Sequence, residues 1–185
     1  MDTYRLRIYY GKTGIARFIS GKNLQKIIER TLRRARAPLK FTEGFSPHPR
    51  ISYGHPLPVN ISGDNESFDV FLIEKMAPHD IINRAGVLLP EGLCFHTARW
   101  VNKEAPSINS RETYARYTLN ACRDISAGRL ERFGQILELG KTRAVVLIKI
   151  NNFNHKSMIQ LLIDGTLSSI ERSVVQEKGE DEREI

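Results

Sequence analysis

Six residues, Leu24, Ile27, Ile28, Thr31, Leu32 and Ala35, recur at the i, i+3, i+4, i+7 spacing of one buried helix face. A helix with a single apolar stripe must lay that stripe against another element. The segment just before it, Tyr4-Arg5-Leu6-Arg7-Ile8-Tyr9-Tyr10, alternates apolar and basic residues with the period of a half-buried strand. A helix packed on a sheet follows from the pair. Ser20 or Asn23 is placed to cap the helix, and Pro38 to stop it. At about 100° per residue, Lys22, Lys26, Arg30 and Arg33 fall on the opposite face, within roughly a quarter of the circumference.

The remaining elements follow the same patterning. Gly11-Lys12-Thr13-Gly14 reads as a turn, and Ser62-Gly63-Asp64-Asn65 as a polar turn before a strand at 67–74. Residues 80–89 read as a short helix with Pro78 near its first turn and Pro90-Glu91-Gly92 ending it; residues 93–100 read as a strand. The order is β-α-β-β-α-β, so the fold class is α+β: a ferredoxin-like antiparallel sheet with its helices on one face, over residues 1–101. A polar connector at 102–111 leads to a second, smaller α+β unit over 112–176. There a strand at 113–119, a helix around 129–139, a strand at 144–150, a helix at 157–163 and a strand at 170–175 are expected. This is a second ferredoxin-like half, whose completeness the sequence leaves open. The charged tail, 177–185, has no apolar face and is expected to be disordered.

Charge is unevenly divided. Residues 1–55 hold 12 Lys and Arg against 3 Asp and Glu, whereas the other 130 hold 16 against 18, so all of the net +7 lies in the first third. Clustered cations gain affinity by displacing counterions from phosphates, which points to a polyanion such as RNA; a solvated helix face is the plainer alternative. No apolar run approaches the roughly 20 residues that span a bilayer, and the first residues lack a secretory core, so a cytoplasmic protein without membrane contact is expected. Cys94 and Cys122 form no CxxC motif and read as two small buried side chains in a reducing compartment.

Between the helix and the next strand lies a stiff stretch, 41–58, with four prolines and two glycines. It reads as a positioned loop or as an edge strand with irregular ends. Proline fixes φ and pushes the preceding residue towards extended geometry, so His48, bracketed by Pro47 and Pro49, is presented with its backbone direction already set. Gly11-Lys12-Thr13 lacks the upstream glycine of a GxxxxGK[ST] phosphate loop. His48 and His55 have no Cys or carboxylate at a ligand spacing, so no metal or cofactor is implied.

Arg17-Phe18-Ile19-Ser20, the helix segment 29–35, and the string Glu43-Gly44-Phe45-Ser46-Pro47-His48-Pro49-Arg50-Ile51-Ser52 together resemble the radical-SAM-linked domain of unknown function, a bacterial family. Pro56-Leu57-Pro58, Glu66 and Asp69 fit it as well. The resemblance covers about the first 105 residues; the Asp-x-Arg string usual in the family's second half has no counterpart. It implies an accessory module fused to, or partnered with, a radical SAM enzyme. This chain lacks the three thiolates that hold such an enzyme's cluster, so it is not that enzyme alone.

Three readings follow for the site. In the first, Arg17, Lys22, Lys26, Arg30, Arg33 and Arg50 contact RNA phosphates while Phe45, Tyr53 and His48 meet bases, or the module presents a substrate to an enzyme. In the second, His48 is a general acid/base with Glu43 or Ser46 as partner. In the third, an exposed loop or sheet edge docks a radical SAM partner. The recognition loop in each case is Glu43, Phe45, Ser46, His48, Arg50 and Ser52.

Overall fold

The computed structural model describes residues 3–102, 104–110, 113–151, 153 and 155–175. Its first half runs β1 (Tyr4–Lys12), a 3-10 turn (Gly14–Phe18), α1 (Gly21–Arg34), β2 (Ile51–Tyr53), β3 (Ser62–Leu72), α2 (Pro78–Gly86) and β4 (Leu93–Val101). The second runs β5 (Tyr114–Ala121), α3 (Ala127–Leu130), β6 (Gln135–Leu139), β7 (Arg143–Lys149), α4 (Lys156–Ile163) and β8 (Leu167–Val175). The fold is α+β.

One mixed sheet carries both halves, in the order β4-β1-β3-β8-β5-β7-β6, with β2 also on β3. In the first half β1 pairs with β3 and β4, and β2 with β3; in the second β5 pairs with β7 and β8, and β6 with β7. The same pairing scheme is therefore used twice. The join is the long strand β3, whose residues 68–70 bond β2 and whose residues 62–64 run parallel to 171–173 of β8.

Alternation decides what each face of β1 does. Leu6, Ile8 and Tyr10 pack with Phe68, Val70 and Leu72 beneath Leu24, Ile28 and Leu32 of α1 and Ile81 and Ala85 of α2. A second core gathers Tyr117, Leu119, Val146, Ile148, Met158 and Ile170, and it also takes in Leu57 and Ile61 from the segment before β3.

Several expectations are corrected. Gly11 and Lys12 end β1, with the turn beginning at Thr13, and 62–65 is the first part of β3. Its Gly, Asp and Asn are poor strand formers, but ladders on both sides override that preference. The helix expected at 129–139 is only Ala127–Leu130, followed by edge strand β6. Gly134 turns the chain against β7, where an added Cβ would strike the Leu147 carbonyl. Both cysteines are exposed. The tail at 177–185 lies outside the described residues. Among the described residues no helix is long and apolar enough to cross a membrane.

Candidate functional site

Ser20 caps α1, its Oγ accepting from the Asn23 main-chain N at 3.3 Å. At the other end Arg36 takes a left-handed conformation (φ 56°), and Ala37 N donates to Leu32 O at 3.2 Å, closing the helix before Pro38. Lys22, Lys26, Arg30 and Arg33 are exposed together with Arg34 and Arg36. Among the described residues Lys22, Lys26, Arg30 and Arg34 make no ion pair. Glu29 lies at the margin of the stripe, towards Tyr53, whose hydroxyl donates to Gln25 O at 3.3 Å. No acidic residue occupies the first turn of α1, although the helix dipole favours anions there. Arg33 and Arg34 suit the dipole at the C-terminal end; Lys22 opposes it.

The stiff loop is a hairpin. Lys40 N donates to Phe71 O at 2.7 Å, and Phe71 N to Arg50 O at 3.1 Å, which seats both arms on the end of β3. Arg50 N donates to Lys40 O, and Thr42 N to His48 O at 2.9 Å, closing the tip at 43–47. His48 N donates to Thr42 Oγ1 at 3.2 Å, and His48 Nδ1 lies 3.2 Å from the same oxygen. Thr42, not Glu43 or the Ser46 hydroxyl, is thus the partner of His48; Ser46 offers only its main-chain O, 3.4 Å away. Phe45 at the tip is fully exposed; Glu43, Ser46, His48 and Arg50 are exposed as well, whereas Ser52 on β2 is half-buried.

A cation–aromatic contact ties the hairpin to α1. The Arg33 guanidinium lies 5.1 Å from the Phe41 ring centre. Arg50, expected beside the helix cations, is instead 4.4 Å from Phe71, which pairs with Arg5 and shares its sheet face, so this cation sits on the side away from α1. Arg17, half-buried, is 4.8 Å from Phe18. Tyr53 is committed internally, with its ring 6.1 Å from Phe68 and its hydroxyl on α1. Burial, and then Glu29, raises the pKa of Tyr53.

Two buried charge clusters join residues far apart in the sequence and leave no local pattern in it. Arg5, Arg7 and Lys12 count among the twelve basic residues of the first third, yet all three are internal. On the sheet face away from the helices, Asp69 (0% exposed) accepts from Arg5 Nε and Arg7 Nε, each at 2.8 Å. Arg5 also donates to the Ala105 and Pro106 carbonyls at 2.6 and 2.9 Å, so the segment after β4 folds back over this face.

The second cluster sits where β3 meets β8. Arg172 (1% exposed) donates from Nε to Glu66 Oε1 at 2.7 Å and from Nη2 to Oε2 at 2.5 Å. It also reaches the Pro56 and His55 carbonyls at 3.1 and 3.0 Å. Burial pushes the Glu66 pKa up against the pull of Arg172; with both oxygens accepting from a guanidinium, the carboxylate is the form this geometry holds. Lys12 Nζ faces the Arg17, Ile19 and Pro58 carbonyls at 3.2–3.4 Å, and burial lowers its pKa to about 8. Tyr117 Oη lies 2.6 Å from His155 Nε2, whose pKa burial lowers to about 4. These groups bind one another, which makes the cluster a fastening between the halves.

The other histidines gather no ligand set. His96 Nε2 lies 2.9 Å from Asp64 Oδ1, over Gly11, with Cys94 Sγ 3.7 Å from the same nitrogen. Among the described residues no group of three His, Cys, Asp or Glu side chains is arranged to hold a metal ion.

Comparison with curated proteins finds no match. Among solved structures, the chain is similar to the acetolactate synthase small subunit of Thermotoga maritima, at 11% identity over 100% of this chain and 99% of that one, with a TM-score of 0.31. A likeness of that size bears on neither fold nor function. The family model described as an uncharacterized protein conserved in bacteria (DUF2344) matches residues 5–180, both halves and the seam between them. The chain belongs to this bacterial family.

Proposed function

We propose that this protein is an RNA-binding accessory module of the cytoplasm, whose contact surface is the exposed face of α1 together with the 41–50 hairpin. The observation that carries the reading is the row Lys22, Lys26, Arg30, Arg33, exposed along one face of α1. Helix stability alone argues against part of that row. A cation in the first turn opposes the dipole, so Lys22 is better explained by an external anion than by the fold. Arg17 stacks on Phe18 just before α1, and Arg33 reaches the hairpin at the other end of the helix. His48, exposed and oriented by Thr42, serves recognition in this reading rather than general acid/base chemistry, since Glu43 offers it no contact.

The double repeat of one pairing scheme supports a further reading, that each half is a ferredoxin-like unit. The Glu43–Ser52 string, carried on a protruding tip with Phe45 fully exposed, supports a role beside a radical SAM enzyme. Pull-down of such a partner with and without RNase separates direct docking from bridging by RNA.

The RNA reading is tested by electrophoretic mobility shift with the wild type and the Arg30→Ala/Arg33→Ala variant. Loss of two phosphate contacts is expected to weaken binding severalfold, to a similar degree for different RNA sequences. Unchanged affinity in the variant would contradict the proposed surface.

A further inference from the structure

We infer that the nucleic acid taken by this surface is single-stranded RNA, laid along α1 with its bases stacked at the hairpin. The inference rests on the RNA reading above and deepens it. Three phenylalanines stand out on the first half: Phe18 at 52%, Phe41 at 41% and Phe45 at 110% exposure. They do not pack on one another. Phe18 lies just before α1, while Phe41 and Phe45 lie on the hairpin that Arg33 joins to its C-terminal end.

Each end thus pairs an exposed ring with a guanidinium: Arg17 on Phe18, and Arg33 on Phe41. Such a pair offers a phosphate and the adjacent base their partners side by side. Between them α1 runs for 14 residues. That is about 21 Å, the length of about six stacked nucleotides at ~3.4 Å each. The intervening row of cations tracks a backbone of that length.

A duplex fits this surface poorly. Its bases have no free faces for Phe45 or Phe41, and the deep, narrow major groove of A-form RNA does not admit a helix face. Unpaired bases have free faces, and stacking on them is tolerant of sequence, as suits a surface with exposed rings and no buried polar groups at the tip.

The test is fluorescence anisotropy with a labelled 12-nucleotide RNA of mixed sequence, as a single strand and as a duplex with its complement. Wild type is expected to bind the single strand at least about tenfold more tightly. The Phe45→Ala variant changes a side chain with no packing role, so its circular dichroism melt stays that of wild type. Its affinity for the single strand is expected to fall about 5- to 100-fold, with little change for the duplex. Equal affinity for both RNAs, or full single-strand affinity in Phe45→Ala and Phe41→Leu alike, overturns the inference while the RNA reading stands. No binding of either RNA overturns both.

Discussion

Replacing Arg172 by methionine removes the guanidinium that Glu66 shares across the β3–β8 seam. The variant leaves a carboxylate 3% exposed with no bidentate partner, and it strips the His55 and Pro56 carbonyls of a donor. Breaking a buried ion pair from one side costs about 3–5 kcal/mol. Lys12 is the other cation acting on Glu66, which favours the lower end, about 3 kcal/mol. With an urea dependence of about 2 kcal/mol per molar, the unfolding midpoint should drop by about 1.5 M. The titration is followed by far-ultraviolet circular dichroism, which reports both halves, and by fluorescence of Trp100, the only tryptophan, on β4 of the first half. The seam ladder is only three residue pairs long, so the two signals should separate in the variant. Glu66→Leu/Arg172→Met should recover at least half of the loss, because the buried carboxylate left without its guanidinium is gone and Lys12 keeps its three carbonyl partners. A loss under about 1 kcal/mol, or a double variant no better than Arg172→Met, would refute the clamp.

Asp69→Asn removes the carboxylate shared by buried Arg5 and Arg7 and should lower unfolding free energy by about 3–5 kcal/mol in the same titration; an unchanged midpoint would show that the cluster is not the anchor it looks like. The His155 pKa of about 4 in the fold lies below the ordinary value of 6.5, so between those values the unfolded chain binds more protons than the folded one. That contribution to stability is complete above pH 6.5 and is lost as pH falls towards 4. Melting temperatures at pH 7.5, 6 and 5 should decline more steeply for wild type than for His155→Gln, and parallel lines would count against this assignment.

The sequence made α1 legible because its signal is local. Leu24, Ile28 and Leu32 are buried as their spacing requires, Ser20 caps the helix, and the cations on the far face are exposed. The hairpin was legible as a stiff, presented segment, though Thr42 rather than a charged neighbour orients His48. What stayed hidden depends on distant partners. Ser62–Asn65 looks like a turn because its strand state comes from ladders to β1 and β8. Arg172 meets Glu66 across 106 residues, and Arg5 meets Asp69 across 64, and neither arginine differs locally from a solvated one. Residues 129–139 mimic a helix through Leu130, Phe133 and Ile136–Leu137, yet Gly134 and the open edge of β7 draw them into a strand. Periodicity reports which side of an element is buried; it does not report which charges are buried with it.

The central claim is that the exposed cations of α1 hold RNA phosphates. Its most direct measurement is the salt dependence of single-stranded RNA affinity between 50 and 300 mM KCl. With about four to six phosphates neutralised, log Kobs should fall against log salt with a slope of about −3 to −4. Arg30→Ala/Arg33→Ala should flatten that slope by about 1.4. A slope near zero, or one that the double variant leaves unchanged, would contradict the account.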